Sequence, residues 1–315
     1  MQFKTSAPGS LMLLGEYAVL DGKPALVCAV NKRIHVTLTP RPDDIIEIQS
    51  SLHGHYATDL ASLVIEKPFQ FVLGALKQCQ GKLRRGCDIH IESEFSDKIG
   101  LGSSAAVTVA TLAAIMAWLD VKITPLDLIR QGRNVVRAVQ GVGSGADIAA
   151  SVYGGVVAYQ AQPLQAERFA VTHPLTALYA GFKTPTVDAI KQVQQQFMTL
   201  PNLFKSITNS IGQCAADGIQ MVRKDDWIKL GDIMTTQQGM MQSLGVSSPL
   251  LHEMTETLRT QSTILGAKIS GSGFGDCVIG LGKIAGPQDI EALRAKGVQL
   301  IPVEMTLQGV HGAKI

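Results

Sequence analysis

The sequence has no dominant charge: 28 Lys+Arg residues stand against 26 Asp+Glu, leaving a formal +2. That is far short of the basic footprint of nucleic-acid binding, so acidic ligands must be held by local groups and nucleic acid is not an expected partner. Paired cysteines are also missing. Cys28, Cys79, Cys87, Cys214 and Cys277 form an odd, scattered set with no CxxC, which argues against a disulfide framework or a zinc cluster. No run of about 18 uninterrupted apolar residues occurs, and Met1 to Ser10 carries one lysine, small residues and no apolar h-region. Secretion and membrane spanning are therefore not expected, and a reducing cytoplasm fits best. Fixed-period repeats are absent, and the one biased stretch, Gln192 to Gln196, reads as a solvated helix face.

What is present is 46% apolar residues in a chain of 315, enough for two compact domains. Phe3 to Thr5, Leu11 to Leu14, Ala25 to Val30, the alternating Ile34, Val36 and Leu38, Ile45 to Gln49 and Asp88 to Glu92 have strand character, so the first third is β-rich. Ser103 to Leu119 is Ala-rich, too long for a strand and led by serines, which predicts a largely buried helix. Thr124 to Val139, with its Thr-Pro start, predicts a second helix, and Ile148 to Tyr153 a third. The polar stretch Pro163 to Pro174 is the best domain boundary. Beyond it Thr176 to Phe182 and Val278 to Leu281 read as strands, while Val187 to Thr199, Lys205 to Val222, Trp227 to Leu244 and Pro249 to Leu265 carry helical spacing. An α+β fold follows.

Three loops of small residues carry the candidate chemistry. In Lys98 to Val107, KIGLGSSAAV, glycines let backbone approach a ligand and a helix start supplies free N–H groups, which suits an oligophosphate. The alternative is a plain strand-to-helix turn capped by Ser103 or Ser104. It is not GxxxxGK[ST], because serine follows the second glycine. In Ala267 to Cys277, AKISGSGFGDC, the third glycine comes one position too early for GxGxxG and a strand follows, so the loop reads as a dinucleotide site only weakly and otherwise as a glycine-lined hairpin. In Val142 to Ala150, VGSGADIAA, Asp147 opens a helix behind a glycine turn, where a carboxylate is common on electrostatic grounds alone.

Taken in order, Ala7-Pro8-Gly9 with Leu14 to Leu20 (LGEYAVL), then GLGSSAAV at Gly100 to Val107, then SGSGFGDC at Ser270 to Cys277 resemble the three motifs of the GHMP kinases. That family is named for galactokinase, homoserine kinase, mevalonate kinase and phosphomevalonate kinase. The resemblance spans Ser6 to about Leu281 and implies a two-domain α+β fold. A ribosomal protein S5 domain 2-like, ATP-binding domain would cover residues 1–165 and a ferredoxin-like domain residues 166–315. It further implies that Gly100, Leu101, Gly102, Ser103, Ser104 and Ala105 cradle ATP, with Ser104 also beside Mg²⁺. Asp147 would accept or orient the acceptor hydroxyl's proton, with Ser144, Gly145, Glu16, Tyr17, Ser272 and Gly273 around the acceptor. GEYAVLDG, QGVGSGADIAASVYG and Gly275-Asp276-Cys277 look most like phosphomevalonate kinases, next like mevalonate kinases. The implied reaction is thus phosphorylation of 5-phosphomevalonate, with mevalonate the alternative acceptor and a non-catalytic nucleotide- or metabolite-binding protein a remote one. The chain would act as a monomer or homodimer on a small molecule.

Two departures from the family pattern stand out. Ser10 occupies the place of a lysine that often follows Ala-Pro-Gly, and Val136 the place of a glutamate that helps hold Mg²⁺ in mevalonate kinases. Lys183 is the substitute cation by position, a surface lysine being the equal alternative. Lys4, Lys98 and Arg137 are further cations available to an anionic acceptor. The seven histidines show no HxxxH pattern, and His53-Gly54-His55 lies in a polar loop, so all are read as surface groups.

Overall fold

The computed structural model describes residues 1–314. The chain runs β1 (Phe3–Leu14), β2 (Ala25–Pro40), β3 (Ile45–Ser50), β4 (Gly54–Asp59), α1 (Gln70–Cys79), β5 (Cys87–Ser93), α2 (Ser103–Trp118), α3 (Pro125–Gln140), α4 (Ala146–Tyr153), β6 (Val156–Ala161) and β7 (Leu164–Phe169). It continues with β8 (Leu175–Tyr179), α5 (Thr186–Gln196), α6 (Pro201–Arg223), α7 (Trp227–Ser243), α8 (Pro249–Arg259), β9 (Ala267–Ser270), β10 (Cys277–Leu281), α9 (Glu291–Arg294), β11 (Gln299–Ile301) and β12 (His311–Lys314).

Eight strands form the first sheet, in the order β12-β1-β2-β5-β3-β4, with β6 on β2 and β7 on β6. The long β2 makes this possible by giving Ala25–Cys28 to β6 and Ile34–Pro40 to β5. The segments expected as separate strands are therefore continuous. In β1 a register shift between Pro8 and Gly9 absorbs the proline and glycine without ending the strand. The boundary expected after residue 165 falls inside β7, which stays in this sheet, and β12 returns from the far end of the chain to pair with β1.

Helices α1 to α4 pack on and around this sheet. α2 is apolar all round because β1, β2, α1, α3 and α4 surround it. α3 is amphipathic. Thr124 caps it by accepting from the Asp127 N–H at 3.1 Å, Pro125 takes the first turn, and Gly141 at φ 74° ends it. α1 is not among the helices that the sequence pattern predicts. A Cβ on its Gly74 would lie 3.0 Å from Val135 Cγ1, so the glycine admits α3 at close range.

The second sheet, β11-β8-β10-β9, is antiparallel throughout, with α7 against β9 and α8 against β9 and β10. α8 ends at Arg259 rather than Leu265, and Leu265 gives its N–H to Leu281 O at 2.8 Å. The exposed glutamines of α5 flank a buried Val193, as expected. α6 crosses the seam between the halves, where a Cβ on Gly218 would meet Leu14 Cδ1 at 2.2 Å. All five cysteines are buried and free, and no helix among the described residues is long and apolar enough to cross a membrane.

Candidate active site

A cleft of about 590 Å³ opens at this seam, and all three small-residue loops reach it. The loop Lys98 to Ala105 enters α2 through Gly102, whose φ of 66° is left-handed. Neither serine caps the helix. Ser103 and Ser104 instead line the cleft with Ala105. Their N–H groups precede the first intrahelical bond, Ala106 N–H to Gly102 O at 3.0 Å. This leaves a helix N-terminus presenting free donors and positive dipole to the cavity. Leu101 turns its side chain into the core and offers only backbone, its carbonyl accepting from the Ser10 N–H at 3.0 Å.

Both loop glycines are required by what approaches them. A Cβ on Gly102 would stand 2.2 Å from Ser10 Oγ, and one on Gly100 would stand 1.7 Å from Asp276 Oδ1. Ser10, beside Ala7-Pro8-Gly9, and Asp276, in the loop Ala267 to Cys277, thus close on the loop Lys98 to Val107 from two sides.

Asp147 sits in the first turn of α4 behind Gly145, at φ 93°. Ser144 Oγ accepts from the Ala146 N–H at 3.2 Å, and Ser144 O is held by the Tyr159 hydroxyl at 2.5 Å. The Ser10 hydroxyl donates to Asp147 Oδ1 at 2.8 Å. Asp147 opens on the cleft but is otherwise enclosed by protein. Burial therefore raises its pKa above the ordinary aspartate value, against the opposing pull of the Ser10 hydrogen bond and the Lys183 charge.

The loop Ala267 to Cys277 is fastened to the segment Leu14 to Leu20. Tyr17, held at φ 61°, donates its hydroxyl to Ser272 O at 2.6 Å. Burial, with Glu16 alongside, keeps that phenol protonated and so a donor. Glu16 Oε1 meets the ammonium of Lys268, and Glu16 Oε2 accepts from Gln237 Nε2 at 2.6 Å. Lys268 is 0% exposed and Glu16 3%. Gln237 in turn accepts from the Gly15 N–H at 3.0 Å, and the Gly271 N–H approaches Glu16 Oε1 at 3.4 Å. Glu16 lines the cleft, yet both its oxygens are engaged in this clasp. Lys268 is not legible as its partner, because 252 residues separate the two.

Most of the expected site residues converge. Glu16, Tyr17, Ser103, Ser104, Ala105, Ser144, Gly145, Asp147, Lys183 and Ser272 line the one cleft. Gly273 does not, for it is packed against Val246, where a Cβ would lie 2.6 Å from Val246 Cβ. Of the four cations proposed for an anionic acceptor, Lys98 and Lys183 reach the cleft. Lys4 lines a separate groove with His35 and His90, and Arg137 donates to Gly143 O at 2.9 Å. His53, read as a surface group, stands at the cleft mouth edge-on to Phe69 at 6.1 Å. With Phe71, Val107, Val136 and Val142 these rings make an apolar wall beside the phosphate-type loop, which no motif announced. Val136, only 8% exposed, brings no carboxylate there. Among the described residues no group of three or more His, Cys, Asp or Glu is placed to hold a metal by itself.

Comparison with known proteins agrees with this arrangement. The family profiles for the GHMP kinases N terminal domain and the GHMP kinases C terminal match residues 70–155 and 219–299. The mevalonate kinase of Aeropyrum pernix is 30% identical over 290 residues, covering 89% of this chain and 88% of that one. The chain belongs to the GHMP kinases. A second relative in the mevalonate-pathway branch, the mevalonate kinase of Pyrococcus abyssi, is 29% identical over 296 residues, 88% of this chain and 87% of its own. Among solved structures, the Lin0012 protein from Listeria innocua superposes with a TM-score of 0.86 at 23% identity, over 100% of both chains. The Streptococcus pneumoniae phosphomevalonate kinase, in complex with phosphomevalonate and AMPPNP, does so with 0.76 at 19% over 97% and 99%. These two show the shared fold. As a GHMP kinase the protein is an ATP-dependent phosphotransferase, which sets aside the non-catalytic and dinucleotide alternatives.

Proposed function

We propose that this kinase transfers the γ-phosphoryl group of ATP to mevalonate, giving 5-phosphomevalonate. The observation that carries the choice of acceptor is the charge at the Asp147 end of the cleft, where Lys183 is the cation while Lys98 belongs to the phosphate loop. One ammonium suits an acceptor with one carboxylate better than an acceptor that adds a phosphate. The mevalonate kinases among its relatives support the same reading, which the motifs alone had ranked second to 5-phosphomevalonate.

In this reading the phosphates of ATP lie on the N–H groups of Ser103, Ser104 and Ala105 at the start of α2, and the base lies against the apolar wall of Phe69 and Phe71. Asp147, its basicity raised by burial, takes the proton of the attacking hydroxyl. The Ser10 hydrogen bond fixes the carboxylate's orientation, and Lys183 balances charge on the transferring group. The cleft suits Mg²⁺ held largely by phosphates and water, with the Ser104 hydroxyl as the protein's hard oxygen donor, since Val136 supplies none. Bound there, Mg²⁺ would offset phosphate charge.

The deciding experiment is ADP release with ATP and Mg²⁺, offering mevalonate, 5-phosphomevalonate, homoserine and galactose in parallel. Mevalonate is expected to give the highest kcat/KM. Preference for 5-phosphomevalonate would replace this reading, with Lys98 then the second anion contact.

A further inference from the structure

Asp276 belongs to no part of the scheme above, yet its surroundings are unusual. Its backbone is left-handed, at φ 72°, which is costly for a residue with a Cβ. Three hydrogen bonds tie its loop to the segment carrying Lys183: Asp276 N–H to Phe182 O at 2.8 Å, Ala180 N–H to Asp276 O at 2.9 Å, and the Thr184 hydroxyl to Phe274 O at 2.9 Å. Lys183 and the loop Ala267 to Cys277 therefore form one unit.

The carboxylate faces inward. Oδ1 is buried against Gly100 with no hydrogen-bond partner, and Oδ2 lies 4.0 Å from Lys183 Nζ. A buried carboxylate so poorly satisfied is destabilising: the Cys277 thiol beside it is a weak donor, and among the described residues Lys183 is its one cationic compensation within salt-bridge reach. The Asp276 side chain is 10% exposed and that of Lys183 29%. The lysine is thus the more exposed, cleft-facing member, and a flexible four-carbon stem needs such an anchor to hold one place.

We propose that Asp276 is a positioning residue for phosphoryl transfer, holding the Lys183 ammonium between the phosphate loop at Gly100 and the Asp147 carboxylate. The inference rests on the role given above to Lys183. Asp276 touches neither nucleotide nor acceptor and acts only through the lysine, placing it where charge develops during transfer.

A double-mutant cycle tests this, with kcat, KM for ATP and melting temperature measured on each purified enzyme. Asp276→Asn removes the charge at constant shape, and Asp276→Gly removes the side chain from a backbone that favours glycine, so a folded variant is available either way. Each is expected to lower kcat about tenfold in the wild-type background and less than about twofold in a Lys183→Met background, a coupling typical of contacting residues. KM for ATP should stay within about twofold. Equal losses of kcat in both backgrounds, or none in either, would overturn the assignment of Asp276. Wild-type turnover in Lys183→Met alone would instead overturn the role of Lys183, so the two failures are told apart.

Discussion

The Ser10 hydroxyl hydrogen-bonds Asp147 at 2.8 Å across 137 residues of sequence, so a neutral donor, not a cation, is the direct partner of the cleft's central carboxylate. Burial raises the Asp147 pKa and this bond lowers it. Removing the bond in Ser10→Ala should raise the pKa further, so that more of the enzyme is protonated, and unable to act as base, at a given acidic pH. The acidic limb of the kcat–pH profile is expected to move to higher pH while the plateau at alkaline pH changes less. A limb that stays in place, or moves to lower pH, would show that another group controls it.

Asp147→Asn keeps the shape and the Ser10 contact but cannot take a proton. A general base contributes about 10²- to 10⁴-fold, so kcat should fall by that order. Nucleotide affinity, measured by calorimetry with ATP and Mg²⁺, should change little because the phosphates rest on the other loop. Normal turnover in this variant would remove Asp147 from the mechanism.

The loop Lys98 to Val107 makes a sharper steric prediction. Valine at Gly102 would need φ near 66° with its Cβ 2.2 Å from Ser10 Oγ. Either the loop or Ser10 must move, and Ser10 is almost fully buried. Gly102→Val should weaken ATP binding by at least about tenfold, with the acceptor affinity of the free enzyme less affected. Unchanged ATP titration would mean that the phosphates do not use this helix start.

These three loops were legible in the sequence for a physical reason: where chain segments approach within a Cβ's reach, or φ is positive, glycine is the residue that fits. Helices with one apolar face, such as α3 and α6, were legible through their periodicity. What could not be read was set by distant partners. Pro8 and Gly9 suggested a break in β1, but pairing with β2 carries the strand through a bulge. α1 is not among the helices read from periodicity, and the reason for its Gly74, Val135, lies on another helix. β7 and β12 join the first sheet through pairings that local sequence does not encode. The motif implies that Glu16 lies near the acceptor, and it does line the cleft, but its partners Lys268 and Gln237 come from the other half of the molecule and are not legible in the motif.

That clasp predicts a stability effect. Lys268→Met leaves Glu16 buried without its counter-charge, which typically costs about 3–5 kcal/mol. Urea denaturation should show a loss of this order. Glu16→Gln combined with Lys268→Met, which leaves no buried charge, should recover part of it. A double variant as unstable as the sum of the singles would mean that the pair does not interact energetically.

The opposite sign is expected at Asp276. Burial pushes its pKa from the ordinary aspartate value to about 6, against the favourable effect of Lys183, so folding favours the protonated form. The penalty for ionising it in the folded protein is fully present above about pH 6 and disappears below the unfolded-state value. Between these limits the folded protein binds more protons than the unfolded chain, and the contribution of this residue to stability falls as pH rises. Asp276→Asn removes that penalty. The variant should therefore melt higher than wild type at pH 8, by an amount corresponding to no more than about 3 kcal/mol, and match it more closely near pH 4. The same substitution that slows turnover would then stabilise the fold, the pattern of a carboxylate retained for activity rather than for stability. Lower stability of Asp276→Asn at pH 8 would mean instead that the Lys183 contact outweighs the burial of the charge.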